Sequence, residues 1–203
     1  MPRQGGRNPV EALTDLARAQ DGLFAASQAA AAGVDRHQLQ RLVEQKLLER
    51  DRPGLYRLAP FPESDRAELW RAVLWPTFQR SDRPAALSDG TALGLYEVST
   101  INPSTIDIAI PRSLRLRREP PAGVRVNRRD YEPSDLTVIS GLPATTLYRT
   151  LIDLIMNGRD LQFVDEALTH ARTAALLTSK ELRSIVALRG LDGQLLAMLR
   201  NRS

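Results

Sequence analysis

The chain of 203 residues has no cysteine. That excludes a disulfide framework, a thiolate metal site and a thiol nucleophile. Histidine is nearly absent too. His37 and His170 stand far apart, so a histidine-built hydrolytic metal centre lacks its ligands. Lys46 and Lys180 are the only lysines. Both fall in expected helices, away from the strand carboxylate that an Asp…Glu-x-Lys nuclease needs beside its lysine. There is no phosphate-cradling glycine-rich loop ending in Gly-Lys and no Gly-x-Ser-x-Gly elbow. No apolar run approaches the roughly 20 residues of a membrane helix; "TLIDLIM" covers only seven. The opening "MPRQGGRNP" lacks the apolar core of a secretion signal. The expectation is a soluble cytoplasmic protein that uses no metal and no cofactor.

What is present is arginine. The formal charge is +4 and the pI about 9.9, with arginine supplying nearly all the positive charge. Arginine holds phosphate and guanine with two parallel bonds where lysine is a point charge. A GC-rich coding bias would produce the same composition. The length suits one large domain or two small ones. An apolar share of 42% is enough for a packed core.

Apolar spacing at Val10, Leu13, Leu16 and Ala17 predicts a first helix over 10–19, ended by Asp21-Gly22. A second short helix is expected over 25–32, stopped by Gly33. A third starts at Asp35, with Gln38 three residues on in a capping-box arrangement. Its buried stripe is Leu39, Leu42, Val43 and Leu47. "LLER" and "LYRL" around "DRPG" predict a hairpin. The Pro-punctuated segment from Ala59 to Asp65 marks a domain boundary, giving units of 1–60 and 61–203.

Beyond it, helices are expected over 64–78, ended by "SDRPA", and over 88–98, capped by Ser88. "TIDIAIP", "AGVRVNRRDY" and "LTVISGLPA" read as strands. Helices follow over 145–157, 161–172, 178–188 and 191–201, the third opened by the Thr178/Glu181 capping pair. The fold class is α+β: an N-terminal winged helix-turn-helix, then a small mixed sheet with a helical C-terminal bundle.

The chemistry of the first segment follows from its second and third helices. Alanines let them approach closely, and Val34 plugs the angle between them. Arg36, His37, Gln38, Gln40 and Arg41 avoid the apolar stripe and occupy the end that enters a major groove. Arginine matches guanine O6 and N7, and glutamine matches adenine N6 and N7. Arg50, Arg52 and Arg57 flank the hairpin tip and are candidates for contact with phosphate or the minor groove. Helix-helix-hairpin units also serve as protein-protein modules.

"DGLFAASQAAAAGVDRHQLQRLVEQKLLERDRPGLYRL", "ALSDGTALGLYEV", "TIDIAIPRS" and "GLPATTLYRTLIDLI", in that order, resemble the AbiEi antitoxins of type IV toxin–antitoxin systems. The resemblance spans roughly 10–190. It implies an antitoxin that is not an enzyme. It implies a winged helix that binds double-stranded DNA at the protein's own promoter, at inverted repeats, as an autorepressor. It also implies a partner toxin resembling a nucleotidyltransferase, opposed directly or functionally. A stand-alone winged-helix regulator and a degraded nucleotidyltransferase-like scaffold are the alternatives.

The scaffold alternative rests on "LSDGTALGLYEVSTINPSTIDIAI". Nucleotidyltransferases place a glycine pair at a helix start, then a strand bearing Asp-x-Asp that holds two metal ions. Here Asp107 is present but its partner position is Ala109, and the glycine site reads Asp89-Gly90-Thr91. One carboxylate cannot hold two divalent ions. Asp107 is otherwise expected at an edge strand, solvated or paired with an arginine.

"PRSLRLRREPPAGVRVNRRD" carries a belt of Arg112, Arg115, Arg117, Arg118, Arg125, Arg128 and Arg129. Such a run is a solvated face, or it contacts nucleic acid or an acidic partner surface. Arg149 and Asp153 are four apart on an expected core helix and suit a mutual ion pair.

Overall fold

The computed structural model describes residues 9–59, 61–79, 85–116 and 118–190. It is an α+β protein, with eight α-helices and two sheets among the described residues. The expected lead over 1–8, most of "SDRPA" and the expected helix over 191–201 lie outside them. The chain divides into two compact units: Met1–Ala85 with Ser113–Glu119, and Ala86–Arg112 with Pro120–Ser203.

The first unit opens with α1 (Pro9–Ala19), which turns through Asp21 and Gly22 into β1 (Leu23–Ala25). Gly22 sits at φ +78°, and a Cβ there would lie 2.7 Å from the Phe61 ring, so only glycine fits the turn. α2 (Ala26–Ala31) and α3 (Arg36–Glu44) follow, then β2 (Leu48–Arg52) and β3 (Leu55–Leu58). The sheet order is β1-β3-β2, antiparallel throughout. The expected second helix thus begins one residue later, and Leu23–Ala25 is instead a fully buried strand. Leu13, Ala17, Phe24, Ala29, Val34, Leu39 and Leu48 form the core, with Phe24 stacked on Tyr56 at 5.9 Å. Val34 is buried in this core. Leu47 does not join the stripe: Lys46 ends the helix at φ +59°, and Leu47 is 53% exposed.

This unit continues past the expected boundary near residue 60. α4 (Ala67–Leu74) buries Ala67, Trp70, Val73 and Leu74. Its Arg71 is paired to Asp51 of β2. A 3-10 turn over Trp75–Gln79 replaces the end of the expected helix, where Pro76 cannot donate an i−4 hydrogen bond.

The second unit contains β4 (Ala86–Leu87), α5 (Asp89–Leu95), β5 (Ile106–Ile110), β6 (Val124–Arg128), β7 (Leu136–Ile139) and β8 (Leu142–Thr145). The mixed sheet runs β6-β5-β4-β8-β7. β5 pairs parallel with β6 and antiparallel with β4; β4 pairs parallel with β8. "LTVISGLPA" is therefore two strands, β7 and β8, joined at Ser140 and Gly141, both with positive φ as a tight hairpin turn requires. Three helices close the unit: α6 (Leu147–Asn157), α7 (Leu161–Thr173) and α8 (Ser179–Arg189). Leu93, Leu151, Leu154, Ile155, Val164, Ala167 and Ile185 make its core. The Thr178/Glu181 capping box forms as expected. Ser88 is the N-cap residue of α5 but makes no capping bond; its hydroxyl accepts from the Asn127 amide at 3.1 Å.

Candidate nucleic-acid interface

The third helix is fixed at its start by a reciprocal pair. Gln38 N–H donates to the Asp35 carboxylate at 2.8 Å, and Asp35 N–H donates to the Gln38 side-chain oxygen at 2.8 Å. Gln38 is therefore occupied in capping. At about 100° per residue, Arg36, His37, Gln40, Arg41 and Glu44 share one exposed arc of α3, and Gln38 lies outside it.

Arg36, Gln40, Val43 and Glu44 line a groove of about 630 Å³ between α2–α3 and the hairpin. Ala26, Ala30 and Val34 also line it, and Arg50, Gly54 and Tyr56 come from the hairpin side. The Gln40 amide donates to the Glu44 carboxylate at 3.1 Å. The groove thus combines alanine and valine walls with two guanidinium groups and an amide–carboxylate pair. Val43, Glu44 and Tyr56 were not expected there. The helical spacing 36-40-43-44 is the sequence signal that could have found the first two.

The three hairpin arginines have different fates. Arg50 is exposed and borders the groove. Arg52 lies 3.1 Å from Glu68 and 3.8 Å from Asp51, held against α4. Arg57 is only 6% exposed; it donates to the Phe61 carbonyl at 3.5 Å and faces Glu63 at 3.8 Å. The expectation of a phosphate contact fails for Arg57, because β3 alternates and Arg57 shares the buried face with Leu55.

The arginine belt is divided between the two units. Arg115 and Arg118 fall in the first unit, whereas Arg112, Arg125, Arg128 and Arg129 fall in the second; Arg117 lies outside the described residues. Arg125 bonds Thr105 and lies 3.3 Å from Asp107. Arg129 is turned inward, 2.6 Å from Asp153. Arg112, Arg115, Arg118 and Arg128 are exposed.

The strand–helix–strand of the second unit places Asp89 at the start of α5 and Asp107 on β5, both buried. β5 is an inner strand, which corrects the edge placement expected for Asp107. Arg159 lies 2.7 Å from Asp89 and 3.6 Å from Asp107. Arg129 spans Asp89, at 3.7 Å, and Asp153. Burial pushes Asp107 above its ordinary value against the pull of Arg125. Two guanidinium groups therefore each bridge two aspartates, and nothing in the local sequence announced Arg159. Arg149 pairs with Asp153 at 3.0 Å as expected, and lies over the Tyr131 ring. No group of three metal-ligating side chains comes together among the described residues. Among those residues, no helix is long and apolar enough to cross a membrane.

The order α1-β1-α2-α3-β2-β3 is that of a winged helix-turn-helix, the class of domain that lays its third helix in the DNA major groove. Residues 11–59 match a family model described as "Transcriptional regulator, AbiEi antitoxin", so the resemblance read from the sequence holds over that segment. Among solved structures, the chain is similar to the RV2827C protein from Mycobacterium tuberculosis. The identity is 16% and the TM-score 0.53, with 98% of this chain and 78% of that one covered. At that identity the likeness concerns the fold alone. No curated protein matches the chain.

Proposed function

We propose that this protein is a DNA-binding antitoxin that represses its own promoter and opposes a nucleotidyltransferase-like toxin. The observation that carries the DNA half is the groove in which Arg36 and Gln40 of α3 face Arg50 of the hairpin. A recognition helix offers side chains to base edges while a neighbouring arginine holds the flanking phosphate. Agreement of the winged-helix segment with an antitoxin-regulator family supports the reading. The second unit is read as non-catalytic. Its Asp107 is paired with Arg125 and Arg159, and this supports a role other than holding the paired metals of phosphoryl transfer.

A stand-alone regulator is the second reading, favoured by one fact: the family match ends at residue 59 and leaves the second unit unassigned. Two assays in one strain separate them. Under the antitoxin reading the protein lowers expression from its own promoter and restores growth when the neighbouring toxin gene is induced. Repression without restored growth would leave only the regulator.

A further inference from the structure

β2 and β3 do not pair evenly. Arg50 opposes Tyr56 and Arg52 opposes Leu55, so Asp51 has no partner across the ladder. Such a bulge turns side chains away from the directions that strict alternation would give them. Asp51 is hydrogen-bonded chiefly by Arg71, with Arg52 at 3.8 Å. Arg71 of α4 donates through Nε to both of its carboxylate oxygens at 3.0 Å, and through Nη2 at 2.6 Å.

Arg71 is 9% exposed. Its other terminal nitrogen reaches Glu63, and Glu68 at 2.9 Å. Glu68 in turn holds Arg52, and Glu63 faces Arg57. Three arginines and three acids thus form one closed network under the wing. Among the described residues Arg50 stands outside it, at the groove.

We propose that Arg71 is a positioning residue for DNA binding. It draws Asp51 out of the ladder, and that bulge sets Arg50 at the edge of the recognition groove. The physical case is geometric. A two-pronged guanidinium–carboxylate pair fixes orientation as well as distance, and α4 that carries it is anchored by five buried apolar side chains. Hydrogen bonding to Asp51 raises the Arg71 pKa, so the clamp stays charged. The network also removes Arg52 and Arg57 from the wing's outward charge. One hairpin arginine therefore remains for the phosphate backbone. The proposal rests on the DNA-binding reading above.

The test uses the full chain and a duplex of its own upstream region, with affinity measured over a salt series. Arg50→Ala should weaken binding about tenfold and shorten the salt slope by about one unit, the signature of a lost phosphate contact. Arg71→Gln should do the same without touching DNA. The double variant should bind no more weakly than either single one, because both losses run through Arg50. Arg71→Lys, which keeps charge but not the fork, should recover part of the loss. Asp51→Asn gives the same comparison if Arg71→Gln does not fold. Wild-type affinity and slope in folded Arg71→Gln, or a loss additive with that of Arg50→Ala, would overturn the proposal. If Arg36→Ala and Arg50→Ala also cost nothing, the DNA reading fails with it; if they do cost affinity, only the clamp fails.

Discussion

Arg159 donates to Asp89 across 2.7 Å, and the carboxylate it reaches has no exposed surface. Seventy residues separate the two. The same guanidinium leans on Asp107, so one side chain satisfies two buried acids. Removing one member of a buried pair strands the other charge, which costs more than the pair itself contributes. Asp89 keeps Asn157 and Arg129, which softens the loss. Arg159→Ala should therefore destabilise the protein by about 1–3 kcal/mol, read as a lower denaturant midpoint at pH 7. An unchanged midpoint would mean that the remaining partners suffice.

The DNA-binding proposal makes a sharper claim about α3. Arg36→Ala and Gln40→Ala should each weaken binding to the protein's own promoter by roughly 1–3 kcal/mol, if each holds a base edge. Arg57→Ala serves as the control. Arg57 is buried against Phe61 and Glu63, so its loss should lower stability by roughly 0.5–3 kcal/mol while leaving the salt slope alone. Gel shifts beside thermal melts decide it; a shortened slope in Arg57→Ala would put that residue back on the interface.

Alkaline pH should destabilise the second unit. Burial, partly opposed by a hydrogen bond from the Leu147 backbone, pushes Tyr96 up to about 12. Its hydroxyl donates to the Thr145 carbonyl at 3.0 Å. Tyr131 is raised too, by burial and then by Asp153. The unfolded chain releases these protons near pH 10 and the folded one later, so the folded state holds more protons in between. Stability present below pH 10 is then lost as pH climbs from about 10 towards 12. Tyr96→Phe should cost about 1 kcal/mol at neutral pH yet lose less over that alkaline window. Parallel pH profiles of variant and parent would contradict this.

What was legible in the sequence was local. The Asp35/Gln38 and Thr178/Glu181 boxes lie within four residues, and both form as read. The i,i+4 pair of Arg149 and Asp153 also forms. Strand β1 was invisible because three residues carry no period. Arg57 was misplaced although the signal existed: β3 alternates, and Arg57 stands two residues from Leu55 on the buried side. The Arg71–Asp51 and Arg159–Asp89 pairs are twenty and seventy residues apart, where only the folded chain brings the partners together.

That last point moves the place where the protein should be cut. Two prolines and a change from hairpin to helix suggested a boundary at Ala59 to Asp65, yet Glu63, Glu68 and Arg71 lock α4 to the wing. A fragment ending at Ala59 keeps the helix-turn-helix and the hairpin but leaves Asp51 without its partner. It should melt lower and bind the promoter more weakly than a fragment ending at Ala85, the end of the first unit's main segment. Circular dichroism and fluorescence anisotropy on the two fragments compare them directly; equal stability and affinity would show that α4 contributes nothing to the wing. By the same reasoning, a fragment that opposes the toxin should begin at Ala86 rather than Glu63. Starting at Glu63 would carry α4 without the strands it packs on, exposing Trp70, Val73 and Leu74. Expressed under toxin induction, the fragment from Ala86 should restore growth without repressing the promoter. If that fragment is folded and growth is not restored, the winged unit itself takes part in opposing the toxin.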